Sequence, residues 1–231
     1  MRITTLGLDA DDTLWHNESI FRMTQARFRD LMADHAEPDF LDSRLAEVER
    51  RNLALYGYGV KGFTLSLIET AMDITGGQPP GRIIAEILAA GREMLSHPVE
   101  PLPGVPEALA ALVEDYRLVL ITKGDLLHQE QKLAASGLGD LFAAVEIVSE
   151  KDASTYERVF ARHGTGAAEA VMAGNSLRSD VLPALDAGAW AAHIPYEITW
   201  AHEMADTPQD HPRFAELPSI SALPSWVRSV T

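Results

Sequence analysis

Three carboxylates crowd the start of this chain, in Ile3-Thr-Thr-Leu-Gly-Leu-Asp9-Ala-Asp11-Asp12-Thr13-Leu-Trp15. Ile3 to Leu8 is apolar and β-prone and reads as a buried strand. Such a strand has no structural need for acids at its carboxyl end, and that end is where open parallel α/β sheets place their chemistry. Alternation along an extended backbone lets Asp9 and Asp11 face one cleft. Two close carboxylates repel unless a cation lies between them or one keeps its proton. The spacing therefore points to a hard metal ion, magnesium, and to a nucleophile beside an acid/base. The competing reading is that these acids cap the next helix or face solvent.

The elements that must position these groups fall into two kinds. Residues 17–97 carry helical spacing throughout, with Phe21, Thr24, Phe28 and Leu31, then Leu41, Leu45 and Val48, then about Thr64 to Ile74, then Ile83, Ile87, Met94 and Leu95. No strand interrupts them, so this stretch reads as an inserted four-helix segment. From Pro101-Leu-Pro-Gly104 onward the chain alternates. Helix Pro106 to Val113 precedes strand Arg117 to Ile121, which ends in Thr122-Lys123-Gly124-Asp125. Helix Leu126 to Ser136 precedes strand Ala144 to Val148, which ends in Ser149-Glu150-Lys151. Helix Ser154 to His163 precedes strand Ala170 to Ala173, which ends in Gly174-Asn175-Ser176. Helix Ser179 to Ala187 leads to Trp190 to Ile194 as the last strand. The expectation is an α/β fold, a Rossmann-like parallel sheet with helices on both faces. The core would take residues 1–16 and 98–231, with the Pro-rich tail from Thr207 packed loosely over it.

Each strand end thus offers a group to one sheet edge: Asp9 and Asp11, Thr122 with Lys123, Lys151, and Asn175 with Asp180. Taken singly, Thr122 reads equally as a helix cap, Lys151 as a surface lysine and Asp180 as a charge on a helix dipole. Together they suit phosphoryl transfer, which needs an attacking oxygen, cations on the non-bridging oxygens and a proton for the leaving group. Asp9 would attack, Asp11 would handle protons, and Thr122, Lys123 and Lys151 would bind phosphate.

The ordered set resembles the haloacid dehalogenase-like hydrolase superfamily. Its first motif is Asp9-Ala-Asp11-Asp12-Thr13-Leu14, its second ends at Thr122, its third is Lys151, and its fourth is Gly174-Asn175-Ser-Leu-Arg-Ser-Asp180. The resemblance implies a Rossmann-like core with a mobile helical cap at 17–97. It implies Asp9 as the nucleophile that forms an aspartyl-phosphate, and Asp11 as the acid and then the base. It implies Mg2+ held by Asp9, the Asp11 carbonyl and Asp180. Two positions depart from the pattern. Asn175 replaces a frequent acid; its amide oxygen can still bind magnesium but brings no charge. Asp12 stands where many members have glycine.

Because Asp11 is present, the resemblance favours the phosphatase branch over 2-haloacid dehalogenases, which lack that acid and need no magnesium. A small phosphorylated metabolite is the expected substrate. Lys61 stands alone among lysines between Ile20 and Val119, and nothing singles it out as a Schiff-base lysine of the phosphonatase kind. A receiver-like phospho-acceptor domain shares the acid, Thr and Lys chemistry, but places its acceptor Asp on a middle strand and has no helical insert. Substrate-selecting candidates are Trp15 and His16 after the first strand, and Tyr58 and Lys61 in the glycine-rich stretch Tyr56 to Phe63. That stretch reads either as a loop into the cleft or as a helix–helix turn with packed aromatics. Trp200 and His202 would rim the site or staple the tail.

Composition narrows the partners. The 231 residues carry 19 Lys and Arg against 34 Asp and Glu, a net charge of −15. Such a surface repels nucleic acid and anionic lipid, so neither is an expected partner. There is no cysteine, hence no disulfide or thiol chemistry. No leader-like or transmembrane-length apolar run is visible, which makes a cytoplasmic protein, monomer or homodimer, the expectation.

Overall fold

The computed structural model describes every residue except Met1, Thr199, Ala201 and His202. Its strands are β1 (Thr5–Leu8), β2 (Arg117–Lys123), β3 (Ala144–Val148), β4 (Ala170–Gly174), β5 (Trp190–His193) and β6 (Phe214–Glu216). They form one six-stranded sheet in the order β3-β2-β1-β4-β5-β6, and every pairing is parallel. β1 lies between β2 and β4, with Leu8 opposite both Leu120 and Ala173. Consequently Asp9, the next residue, emerges between the ends of the strands that carry Thr122 and Asn175.

The helices are α1 (Glu18–Met32), α2 (Pro38–Tyr56), α3 (Val60–Ile74), α4 (Gly81–Leu95), α5 (Val105–Val113), α6 (Leu126–Ser136), α7 (Ala153–His163), α8 (Leu182–Asp186) and α9 (Leu223–Val230). The period of two along β2 sorts its side chains onto the two sheet faces. Leu118 and Leu120 pack with Leu109 and Leu112 of α5, Leu133 of α6, and Leu223 and Val227 of α9. Val119 and Ile121 pack with Tyr156, Val159 and Phe160 of α7 and with Ala184 and Leu185 of α8. The sheet is therefore covered on both faces, as an all-parallel sheet must be.

The chain divides into two compact units. The sheet unit comprises Met1–Glu18, Val99–Lys123 and Gln129–Thr231; the helical unit comprises Ser19–Pro98 and Gly124–His128. The helical unit has its own apolar core, with Phe28, Leu45, Phe63, Leu67, Ile83 and Ile87 among its buried residues. Among the described residues no helix is long and apolar enough to cross a membrane.

Two local expectations change, and the stretch 56–63 takes the helix–helix turn of its two readings. The tail holds a sixth strand, β6, beside β5, and α9 buries Leu223 and Val227. Thus Trp190–His193 is not the last strand and the tail is not loose. Four prolines obscure the pattern, although Pro224 sits in the first turn of α9, where its missing N–H costs nothing. In the stretch 56–63 only residues 57–59 lie between helices, because Val60 and Phe63 begin α3 and are buried. Gly62 belongs to that helix: a Cβ there would meet the Gly57 carbonyl oxygen at 2.9 Å, so it marks close packing and not a loop. Before α8 the chain makes a wider turn, Leu177–Val181, in which Asp180 N and Val181 N both donate to the Ser176 carbonyl, at 3.0 and 3.1 Å.

Candidate active site

The chain turns sharply as soon as β1 ends. Asp9 N still donates to the Ala173 carbonyl of β4 at 2.9 Å, and Leu14 N then folds back onto the Ala10 carbonyl at 2.8 Å. The turn needs one left-handed residue, and Asp12 supplies it with φ +62°. This explains glycine at that position in the resemblance. Asp12 offsets the strain by accepting from Asn17 N at 2.8 Å and Glu18 N at 3.0 Å, at the start of α1. Burial pushes its carboxyl up to about 7, against the pull of those hydrogen bonds.

Asp9 is buried at the centre of the site. Lys151, just ahead of α7, donates from Nζ to Asp9 Oδ1 at 2.5 Å and to Asp180 Oδ1 at 2.7 Å. Thr13 Oγ1 donates to Asp9 Oδ2 at 2.9 Å. Ser176 N takes the second Asp180 oxygen at 2.9 Å. Asp180 folds back so far that a Cβ on Gly174 would overlap its carboxylate, which requires glycine there. Tyr156 fixes the same turn by donating to the Ser179 carbonyl at 2.8 Å. One ammonium thus serves two buried carboxylates. Burial raises the Asp9 carboxyl to about 7; Lys151 opposes this and the Asp180 charge adds to it. Burial disfavours the Lys151 ammonium, but Asp180 and Asp9 outweigh it and hold its pKa above the ordinary value.

Hard oxygen donors converge beside Asp9. The Asn175 amide is best satisfied with its nitrogen toward Asp9 Oδ2 and the Asp11 carbonyl, 3.2 Å from each, and toward Thr13 Oγ1 at 3.3 Å. Turned about, the same amide would present its oxygen to that point. Among the described residues no three carboxylate or imidazole side chains form a metal cluster by themselves. One carboxylate, one main-chain carbonyl and one amide nevertheless suit a magnesium ion, which keeps several waters. The residues present fit the ion.

The Asp11 side chain is held by three donors. Lys132 Nζ lies 2.5 Å from Oδ1, Trp15 Nε1 2.8 Å from the same oxygen, and Gln129 Nε2 3.1 Å from Oδ2. Burial works against the Asp11 charge, but Lys132 above all, then Trp15 and Gln129, hold its carboxyl below the ordinary value. Gln129 Nε2 also donates to Thr122 Oγ1 at 2.8 Å, which ties Asp11 to the end of β2.

The remaining candidates lie in several settings. Lys123 donates to Ser179 Oγ and to Glu203 Oε1, both at 2.8 Å. Glu203 also accepts from Ser176 Oγ at 2.5 Å and from Ser179 Oγ. Trp15 is buried in the core of the sheet unit. His16 Nδ1 meets the Tyr196 hydroxyl at 2.5 Å. Tyr58 and Lys61 belong to the helical unit, where Lys61 Nζ pairs with Asp125 at 2.8 Å. Trp200 is half-buried and its carbonyl accepts from Glu203 N at 2.9 Å. His202 lies outside the described residues.

Sequence reasoning passed over Gln129, Lys132, Tyr156 and Glu203. Gln129 and Lys132 did leave a signal. Gln129 stands one helical turn before buried Leu133, and Lys132 three residues after Gln129, so both occupy the buried side of α6. Buried polar side chains in a helix that starts at a site edge are candidates for the site. Glu203 left no such signal, because it follows the strands that the sequence pattern reveals.

The family model for haloacid dehalogenase-like hydrolases matches residues 3–188. A haloacid dehalogenase-like family hydrolase from Xanthomonas campestris is 46% identical, with a TM-score of 0.88, over 99% of this chain and 91% of that one. A HAD-hydrolase from Bacillus subtilis, bound to magnesium, is 17% identical with a TM-score of 0.64, over 98% and 99%. An L-2-haloacid dehalogenase from Xanthobacter autotrophicus is 18% identical with a TM-score of 0.67, over 99% and 100%. No curated protein matches the chain.

Proposed function

The chain belongs to the haloacid dehalogenase-like hydrolases, and we propose that it is a magnesium-dependent phosphatase that cleaves a small phosphorylated metabolite through an aspartyl-phosphate on Asp9. The observation that carries this reading is the Asp9–Lys151–Asp180 cluster, in which two buried carboxylates share one ammonium. Such a cluster is short of positive charge, and a phosphoryl group would deepen the deficit. Asp9 Oδ2, the Asp11 carbonyl and the Asn175 amide oxygen would hold magnesium; Asp180, a ligand by the resemblance, has its two oxygens on Lys151 Nζ at 2.7 Å and Ser176 N at 2.9 Å and would instead anchor Lys151. When bound, the ion would neutralise the non-bridging oxygens and keep Asp9 ionised.

This chain's residues then divide the work. The Asp9 carboxylate attacks phosphorus as the ester P–O bond breaks, and Asp11 would give the leaving alkoxide a proton that it takes up against the pull of Lys132, Trp15 and Gln129. Water attacks the phosphorus of the Asp9 acyl phosphate and gives its proton to Asp11. Inorganic phosphate leaves and the Asp9 carboxylate is restored. Lys151, Lys123 and the Thr122 hydroxyl would bind phosphoryl oxygens. Residues 17–97 would serve as a cap that selects the substrate, with Tyr58 and Lys61 of that unit and His16 after β1 as the candidate selecting residues.

One observation favours a second reading. Asn175 brings no charge to the oxygen set, and a 2-haloacid dehalogenase, in which Asp9 attacks carbon and halide leaves, needs no cation. The held carboxylate of Asp11 weighs against it. The deciding assay measures phosphate release from p-nitrophenyl phosphate and chloride release from 2-chloropropionate, with and without magnesium, for wild type and Asp9→Asn. Magnesium-dependent phosphate release that Asp9→Asn abolishes is expected. Chloride release independent of magnesium would overturn the phosphatase reading.

A further inference from the structure

Resting on the phosphatase reading, we propose that Glu203 sets the charge of the phosphate site: its carboxylate neutralises Lys123, so that inorganic phosphate is held loosely and leaves after turnover. Glu203 lies on the segment between β5 and β6, and its side chain is only 15% exposed. Lys123 Nζ donates to Glu203 Oε1 at 2.8 Å. The hydroxyls of Ser176, at 2.5 Å, and of Ser179 both donate to Oε2. The end of β2 and the turn after β4 thus hold both carboxylate oxygens. Burial works against the Glu203 charge, but Lys123 above all, then Ser176 and Ser179, hold its carboxyl below the ordinary value. At neutral pH it is an anion.

The Lys123 ammonium is spent within this network. It also donates to Ser179 Oγ at 2.8 Å and lies 3.4 Å from Glu150 Oε1. Ser179 and Glu150 immediately precede Asp180 and Lys151, so Lys123 lies alongside the Asp9–Lys151–Asp180 cluster. The charges can then be counted. Lys151 serves Asp9 and Asp180, Lys132 pairs with Asp11, and Lys123 pairs with Glu203. With Asp9 ionised, three ammonium groups face four carboxylates. These residues offer a phosphoryl dianion no surplus positive charge of their own.

A latch for the segment after β5 would not need that charge. A glutamine could accept from Lys123 with its amide oxygen and donate to a serine hydroxyl with its amide nitrogen. What glutamate adds is one negative charge beside the phosphate site, and that charge weakens the hold on any anion bound there. The effect matters most at the end of the cycle, when inorganic phosphate must leave before the next substrate enters.

The test is calorimetry of inorganic phosphate binding with saturating magnesium, together with competitive inhibition of p-nitrophenyl phosphate cleavage by inorganic phosphate. Glu203→Gln should bind phosphate about tenfold more tightly than wild type. Its KM should fall and its kcat should not rise. Glu203→Asp, which keeps the charge on a shorter arm, should return most of the affinity to the wild-type value. A residue that only latches the segment ranks these variants the other way, tolerating glutamine and suffering from the shorter arm. Unchanged or weaker phosphate binding in Glu203→Gln would therefore overturn the proposal. Glu203→Ala also removes the charge and takes the place of Glu203→Gln if that variant fails to fold. A wild type that neither cleaves the ester nor binds phosphate would overturn the phosphatase reading itself, and this proposal with it.

Discussion

Asp9 and Asp180 share a single ammonium, that of Lys151, at 2.5 and 2.7 Å. The cluster carries one negative charge more than it neutralises, and the Asp9 carboxyl rises to about 7 as burial and Asp180 outweigh Lys151. Below that pH, without a cation, Asp9 is largely protonated. A divalent cation favours the anion, so binding must expel the proton. Magnesium affinity should rise with pH up to about 7 and level off above it. Calorimetry at pH 6.5 in two buffers of different ionisation enthalpy should show proton release approaching one per ion. No release would mean that the ion binds elsewhere or that Asp9 is already ionised.

The same geometry predicts the cost of losing the shared cation. The Lys151 and Asp180 side chains are 2% and 1% exposed. Lys151→Met would leave two carboxylates buried with no ammonium between them, a change that costs about 3–5 kcal/mol when one partner of a buried pair is removed. Thermal unfolding should show a large drop in Tm, and phosphate release should be lost. The double variant Lys151→Met, Asp180→Asn should regain much of the stability and none of the activity. If the double variant is no more stable than the single one, charge is not what destabilises it.

Asp12 separates backbone strain from capping. It holds φ +62° and accepts from the amides of Asn17 and Glu18. Asp12→Ala keeps the left-handed backbone and loses the cap, at about 1 kcal/mol for each. Asp12→Gly loses the cap but relieves the left-handed strain that Asp12 itself bears, so the two nearly cancel. Urea unfolding should therefore place the glycine variant close to wild type and the alanine variant about 1 kcal/mol below both.

The Asp12 carboxyl also sets a pH slope. Burial raises it from 3.8 to about 7, so the folded state holds a proton that the unfolded state has released. Its stabilising contribution is complete below about pH 4 and is lost as pH rises through about 7. Asp12→Asn, which keeps a side-chain oxygen, should flatten this part of the profile. The difference between the two unfolding curves, measured from pH 4 to 7.5, isolates Asp12 from Asp9, which both proteins retain.

What the sequence discloses depends on whether a residue acts within its own element. Asp9, Asp11, Thr122, Lys151 and Asp180 each end a strand or open a helix, so local pattern places them, and the sheet brings Asp9, Lys151 and Asp180 into contact. The strand Ala144–Val148 and the helix Leu126–Ser136 form where the apolar spacing puts them. The grip on Asp11 is different. Lys132 is 121 residues away in the chain; its place on the buried side of α6 marks it as a candidate for the site, but no local pattern names Asp11 as its partner. Trp15 reads as a hinge aromatic, yet it buries its ring in the core and spends its N–H on Asp11. The tail misleads for a third reason: β6 has only three residues, too few for alternation to show, and it forms because β5 offers a free edge.

Asn175 is where the proposed cation and the resting structure make opposite demands on one side chain. Without an ion its nitrogen is best placed to donate to Asp9 Oδ2 and the Asp11 carbonyl, 3.2 Å from each. With an ion its oxygen must face the same point. Asn175→Asp removes the donor and adds a charge, which separates the two states. In the absence of magnesium the new carboxylate faces acceptors only, so Tm should fall and the Asp9 carboxyl should rise further. With magnesium the oxygen set gains a second anionic ligand, so affinity should increase about tenfold. The increase in Tm on adding magnesium should then be larger than in the wild type, because an ion that binds only the folded chain stabilises it in proportion to its affinity. A variant equally weakened with and without magnesium would show that Asn175 only braces the turn after β4 and that the ion, if bound, does not touch it.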